Sequence, residues 1–230
     1  MKSNSPIMSN EQDNSIFTIG HSNHDGETFV TLLAKYDITA VVDVRSVPYS
    51  RYSPQFNRHQ LKHRLNARGI DYHFMGRWLG GRSDDPSDYD VDGQVQYDLL
   101  AKSKHFQEGL QSVVRGTLEK RLVLMCSEGR PEDCHRSLLL AEALRNQCNV
   151  QDVVHILADG TTQSHEELRN SISKREQYLR QPDMFLSDEE QISDAINERI
   201  GRVAFKDKGF AYAQSVFEGD SDDWTSGALH

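Results

Sequence analysis

Residues 121–145 read RLVLMCSEGRPEDCHRSLLLAEALR, and their pattern decides the fold class. Residues 121–126 form a short apolar run, the length of a buried strand in a parallel sheet rather than of a helix. Gly129 and Pro131 interrupt it. Proline suits the first position of a helix, where its missing N–H costs nothing. Glu132 and Asp133 follow where the helix dipole favours acids. Leu138, Ala141 and Leu144 then recur at helical spacing. The stretch predicts a strand, a turn and a helix that starts at Pro131.

The same alternation extends in both directions. Residues 16–20 (IFTIG), 39–44 (TAVVDV), 70–75 (IDYHFM) and 153–157 (VVHIL) read as further strands. Helical patterns fall at 28–36, 57–68 with Asn57 as cap, 94–118, and 162–180 with Thr162 or Ser164 as cap. Alternating strands and helices predict an α/β fold: a mostly parallel sheet of about five strands with helices on both faces. Residues 1–14 are polar and are expected to be disordered, residues 15–181 to form the α/β domain, and residues 182–230 to form an acidic tail, helical in part. Ser187 is positioned to cap a short helix over 188–200, with Ile192, Ile196 and Ile200 on one face.

Charge is segregated along the chain. Of the net −9, seven negative charges lie in residues 183–230, where eleven acids face four bases. Residues 45–82 instead hold eight bases and one acid, Asp71, interleaved with Tyr49, Tyr52, Phe56, Tyr72, Phe74 and Trp78. Bases can hold phosphates while aromatics stack on nucleobases, although the aromatics equally suit a core. Three cysteines and no leader pattern lead us to expect a cytoplasmic protein. No apolar run approaches the length that spans a membrane.

Ligands of open α/β sheets sit outside the carboxyl ends of the strands. His21 and Ser22 end the first strand, Asp43, Arg45 and Ser46 the second, and Cys126 and Glu128 the fourth. Cys134, His135 and Arg136 are placed in the first turns of the helix, where backbone N–H groups receive anions. Cys126, Glu128, Cys134 and His135 are the candidate catalytic set: a thiol nucleophile with Glu128 or His135 moving the proton. His21, Ser22, Asp43, Arg45, Ser46, Arg51, Arg82 and Arg136 are the candidate substrate-binding set, with Arg45, Arg51 and Arg136 on phosphate. Cys126 also reads as plain core. Cys126, Cys134 and His135, with His21 as a fourth, would suit a metal. A Cys-x7-Cys-His spacing is not a standard zinc pattern, so no metal is assigned.

The order of these motifs resembles the DUF488 family. The pieces that carry the resemblance are Thr18-Ile19-Gly20-His21-Ser22, Asp43-Val44-Arg45-Ser46 with Pro48 and Ser50, Leu79-Gly80-Gly81, Cys126-Ser127-Glu128, Cys134-His135-Arg136, His155-Ile156-Leu157 and Asp159-Gly160. The resemblance covers roughly residues 16–168. It implies a site and little more about its chemistry, and the cofactor, like the reaction, is unknown. The Asp43-Val44-Arg45 step is also similar to rhodanese-like domains, whose compact cysteine cradle is not reproduced by residues 126–132. The expectation is an enzyme acting on nucleic acid or a nucleotide-like anion, such as a phosphorylated small molecule. The alternative is a nucleic-acid-binding module without chemistry. Oligomeric state is not legible.

Overall fold

Strands at the centre of the protein are apolar on both faces, and each face is covered by helices. The computed structural model describes residues 15–150, 152–177 and 186–207. In chain order the strands are β1 (Ile16–Gly20), β2 (Ala40–Asp43), β3 (Asp71–Phe74), β4 (Leu122–Cys126), β5 (Val153–Ile156) and β6 (Thr162–Ser164). The helices are α1 (Gly26–Lys35), α2 (Arg58–Asn66), α3 (Gly76–Leu79), α4 (Tyr97–Leu100), α5 (Lys104–Gly116), α6 (Glu142–Cys148), α7 (His165–Gln177) and α8 (Asp188–Val203). The sheet order is β3-β2-β4-β1-β5-β6, parallel except for β6.

Strand alternation sends two sets of side chains to two cores. Phe17, Ile19, Val41, Val123 and Met125 meet Phe29 and Leu33 of α1 and Leu61 and Leu65 of α2. Val42, Leu122 and Leu124 meet Phe106 and Leu110 of α5, Leu138–Leu140, and Leu168 and Ile172 of α7. The helices after β1 and β2 thus cover one face, and those after β3 and β4 the other. β4 lies between β2 and β1, so the change of face falls there. This is where open α/β sheets leave a crevice beyond the strand ends.

Several elements differ from the sequence reading, each for a local reason. Five strands were expected, and a sixth, β6, pairs antiparallel with β5 over Val154↔Ser164 to Ile156↔Thr162. Residues 162–164 were read as helix, but α7 starts after them. Ser164 is nonetheless its cap: Ser164 Oγ accepts from Glu167 N at 3.1 Å, and Glu167 Oε2 accepts from Ser164 N at 2.8 Å. The single helix expected over 94–118 is broken into α4 and α5, because Ser103 Oγ accepts from Phe106 N and restarts the helix. Asn57 precedes α2, but its side chain accepts from Ser50 N at 2.7 Å instead of capping the helix. The helix expected from Pro131 is also displaced. Residues Pro131–Asp133 form one 3-10 turn, and Cys134 is extended at φ −131°, ψ 141°. A π-helical turn over Arg136–Ala141 then leads into α6.

Ser187 and Glu190 form the capping box of α8. Ile192 and Ile196 enter the main core and Ile200 packs against it. The described part of the tail therefore joins the α/β body. It packs on α7 and on the turn before Cys134, where Arg199 pairs with Asp133 and donates to Glu132 O at 3.2 Å. The expected disorder of residues 1–14, the end of the helix at 178–180, and the acidic stretch at 219–224 lie outside the described residues. Among the described residues no helix is long and apolar enough to cross a membrane.

Candidate active site

β4 delivers its last residue, Cys126, to the switch point. The chain then turns toward β1, where His21 N donates to Cys126 O at 2.9 Å and Ser22 N to Ser127 O at 3.0 Å. Gly20 makes this approach feasible. A Cβ there would lie 1.7 Å from the carbonyl oxygen of Glu128, so a side chain would push the loop off the sheet. The extended Cys134 that interrupts the helix start turns its thiol, and the following imidazole, back toward Cys126. The π-helical turn follows at once, a feature often found at functional sites.

Four side chains converge there. The Cys126 thiol donates to Glu128 Oε2 at 2.7 Å, and Cys134 Sγ lies 3.0 Å from the same oxygen. His135 Nδ1 lies 3.5 Å from Cys126 Sγ and 3.9 Å from Cys134 Sγ. His135 Nε2 is 3.0 Å from Val44 O, which fixes the ring with Nδ1 toward the sulfurs. Both cysteines are 2% exposed, while Glu128 is an exposed residue whose carboxylate reaches in to the thiols.

The site is electrostatically uneven. Burial, then the bond and charge of Cys134 and the charge of Glu128, push the Cys126 thiol well above its usual value. Burial acts the same way on Cys134, but the Cys126 hydrogen bond, the Arg136 charge and His135 outweigh it and hold that thiol below its usual value. Burial also opposes ionisation of Glu128, yet the His135 charge and both thiol contacts bring its carboxyl down to about 2. His135 moves upward: burial lowers it, and Cys134 and Glu128 more than compensate.

The binding residues expected from sequence share this edge of the sheet but not one role. Arg45 is buried. It donates from Nε to Asp43 Oδ1 at 2.8 Å, and from Nη2 to Asp43 Oδ2 at 2.6 Å and Phe56 O at 2.8 Å. Tyr72 Oη completes the cluster on Asp43 Oδ2 at 2.7 Å. Arg136 is buried and donates to Glu128 O at 2.6 Å and Gly129 O at 3.2 Å. These two arginines hold the site's own backbone and carboxylate. His21 stacks on Phe56 at 4.3 Å, with Nδ1 3.0 Å from Ser22 O. Burial first, then Arg45, lowers its pKa to about 4. Ser46 Oγ accepts from Arg82 N at 3.2 Å. The Arg82 guanidinium lies 4.1 Å from the Phe205 ring centroid. Arg51 is exposed.

The family model for a domain of unknown function, DUF488, matches residues 25–144, slightly more than half of the 230-residue chain. The chain belongs to the DUF488 family. No curated protein and no solved structure matches it. The match takes in β2, β3, β4 and the Cys126–Arg136 cluster, and leaves His21 and His155 outside.

Beside the cluster this DUF488 protein has a cleft of about 530 Å³. Its lining includes His21, Arg45, Tyr49, Arg82 and Ser127, and contains no aspartate or glutamate. Ser127 and Gly129 flank Glu128 and line it too. The sequence reading missed several participants. The Val44 carbonyl orients His135, and no side-chain pattern marks a carbonyl. Ser127 Oγ donates to Glu128 Oε1 at 3.2 Å. Gly81 packs against His135, where a Cβ would lie 2.8 Å from the His135 side chain. The Gly80-Gly81 pair was the available signal for that close approach. Of the aromatics in residues 45–82, Phe56 and Tyr72 are core, while Tyr49 and Tyr52 are exposed.

Proposed function

We propose that this protein is an enzyme acting on nucleic acid or a nucleotide-like anionic substrate, with Cys126, Glu128, Cys134 and His135 as its reactive centre. One observation carries the reading: an acid-free cleft bearing arginine, histidine and serine side chains opens beside four converging reactive groups. A cleft of about 530 Å³ is the size that encloses a nucleotide or a similar small molecule. Arg45, paired with Asp43, and Arg82 both place guanidinium groups on the cleft, and the serines supply hydroxyl donors. Tyr49, which lines the cleft and is exposed, offers a stacking face. The thiols are buried beneath the strand end, and Glu128, whose neighbours Ser127 and Gly129 line the cleft, is the exposed member of the set.

The test is a turnover screen over nucleotides and single-stranded oligonucleotides with wild type and Glu128→Gln, paired with binding measured against salt. Turnover that Glu128→Gln reduces at least about a hundredfold, the size of a general acid–base contribution, supports the enzyme. Binding that weakens steeply with salt, without turnover of any ligand, moves the assignment to a non-catalytic nucleic-acid module. Binding indifferent to salt and to Arg82→Ala removes the anionic substrate.

A further inference from the structure

The donor atoms of Cys126, Glu128, Cys134 and His135 all lie within 4.8 Å of one another. In a tetrahedral centre with metal–sulfur bonds of about 2.3 Å and metal–nitrogen bonds of about 2.0 Å, the sulfur–nitrogen edge is about 3.5 Å. The two edges at His135 Nδ1 are 3.5 and 3.9 Å. The two edges at Glu128 Oε2 are 2.7 and 3.0 Å, hydrogen-bond lengths that lengthen when a cation replaces the shared thiol proton. The surroundings also match. A metal-bound histidine characteristically gives its second ring N–H to a carbonyl or carboxylate, and His135 Nε2 faces Val44 O at 3.0 Å. The Arg136 amide points at Cys134 Sγ from 3.5 Å, a donor to a thiolate sulfur. Once both sulfurs are deprotonated as metal ligands, two thiolates and a carboxylate this close repel one another, and one imidazole is small compensation. A dication between them removes the conflict.

We propose that Cys126, Cys134 and His135, with Glu128 as the fourth and outermost ligand, hold a single divalent metal ion of the zinc type. Two thiolates with one imidazole select zinc over the hard cations that prefer all-oxygen sites. The spacing differs from zinc-finger knuckles because one cysteine ends a strand and the other interrupts a helix start. Two buried ligands, one half-buried ligand and one exposed ligand beside the cleft is also the layout of an ion that can exchange its outer ligand. The inference deepens the reading above by naming the ion of the same site, yet it stands without any substrate.

The experiment is elemental analysis of the full-length protein purified without chelator or added metal, followed by cobalt(II) titration of chelator-treated protein. About one zinc per chain is expected, together with a near-ultraviolet thiolate-to-cobalt charge-transfer band and tetrahedral visible bands. Cys148→Ser should keep both. Cys134→Ser and His135→Ala should lose both. Glu128→Gln, at an exposed position, should keep the fold and bind cobalt about tenfold or more weakly. If the buried-site variants do not fold, wild type decides: metal-free protein together with a cobalt spectrum lacking the thiolate band overturns the site. Metal-loaded protein that turns over no nucleotide leaves the ion in place and counts against the substrate alone.

Discussion

Arg136 Nη1 donates to the backbone carbonyl of Glu128 at 2.6 Å, and Nη2 to that of Gly129 at 3.2 Å. The arginine that follows Cys134 and His135 in sequence therefore clamps the loop that carries Glu128. It is fully buried, while the two carbonyls it holds belong to an exposed and a half-buried residue. Arg136→Met leaves two carbonyls without donors and is expected to cost up to about 6 kcal/mol, from about 1–3 kcal/mol for each carbonyl that water does not reach. Urea unfolding measures this. A loss below about 0.5 kcal/mol would mean that the loop holds its position without the clamp.

Asp43 is fully buried and takes three bonds from Arg45, one of them from its backbone N–H, and one from Tyr72. Asp43→Asn leaves a buried guanidinium without its counter-charge, a loss of about 3–5 kcal/mol. Tyr72→Phe removes the hydroxyl alone, at about 1–3 kcal/mol. If Arg45 were chiefly a substrate ligand, Asp43→Asn would alter anion affinity and leave the unfolding midpoint where it is. The cluster predicts the reverse.

The fold was legible where periodicity and punctuation agree. The apolar run before Ser127 is β4, and Ser187 with Glu190 caps α8 as its sequence pattern implies. Legibility failed where a local side-chain bond competes with the periodic pattern. Ser103 restarts α5, and the extended Cys134 postpones the helix that Pro131 announces. The three residues of β6 are too few to carry a period. At the site, the residue types and the strand edge were legible, but the partners were not. His21, the fourth ligand in the metal alternative, stacks on Phe56, and Glu128 is the fourth donor grouped with Cys126, Cys134 and His135. Arg45 and Arg136 read as phosphate ligands because sequence gives a guanidinium's charge, not the carboxylate or carbonyl that already holds it.

A second histidine network predicts a pH effect on stability. Thr18 Oγ1 lies 2.7 Å from His155 Nδ1, His155 Nε2 lies 3.1 Å from His165 Nδ1, and His165 Nε2 lies 3.0 Å from Glu142 Oε1. A neutral His155 that accepts from Thr18 and donates to His165 satisfies the chain. Burial first, then the charges of His165 and Arg136, hold His155 well below the usual 6.5. The unfolded chain therefore takes up its proton first. The contribution is fully present above pH 6.5 and is lost as pH falls below it; His21, lowered to about 4, acts in the same sense. Each neutral-held histidine adds up to about 1.4 kcal/mol per pH unit to the slope. His155→Gln should lower stability at neutral pH and flatten the decline below pH 6.5. An unchanged slope in a urea series across that range would show that His155 is charged in the native protein.

The last prediction concerns α8, which the charge pattern assigns to an acidic appendage. Ile196 is 4% exposed and belongs to the main core. Arg169, on α7, donates to Glu189 Oε1 at 2.7 Å, and Arg199 pairs with Asp133 next to Cys134. The helix is thus tied to the body by packing and to the site's turn by an ion pair. Ile196→Ala is expected to cost about 2–4 kcal/mol in global stability, as for other buried aliphatic truncations. Arg199→Ala should cost less than about 1 kcal/mol. Chemical denaturation with one cooperative transition, shifted by Ile196→Ala, is the expected record. If Ile196→Ala leaves that transition unmoved, α8 is an appendage and the turn before Cys134 stands without its support.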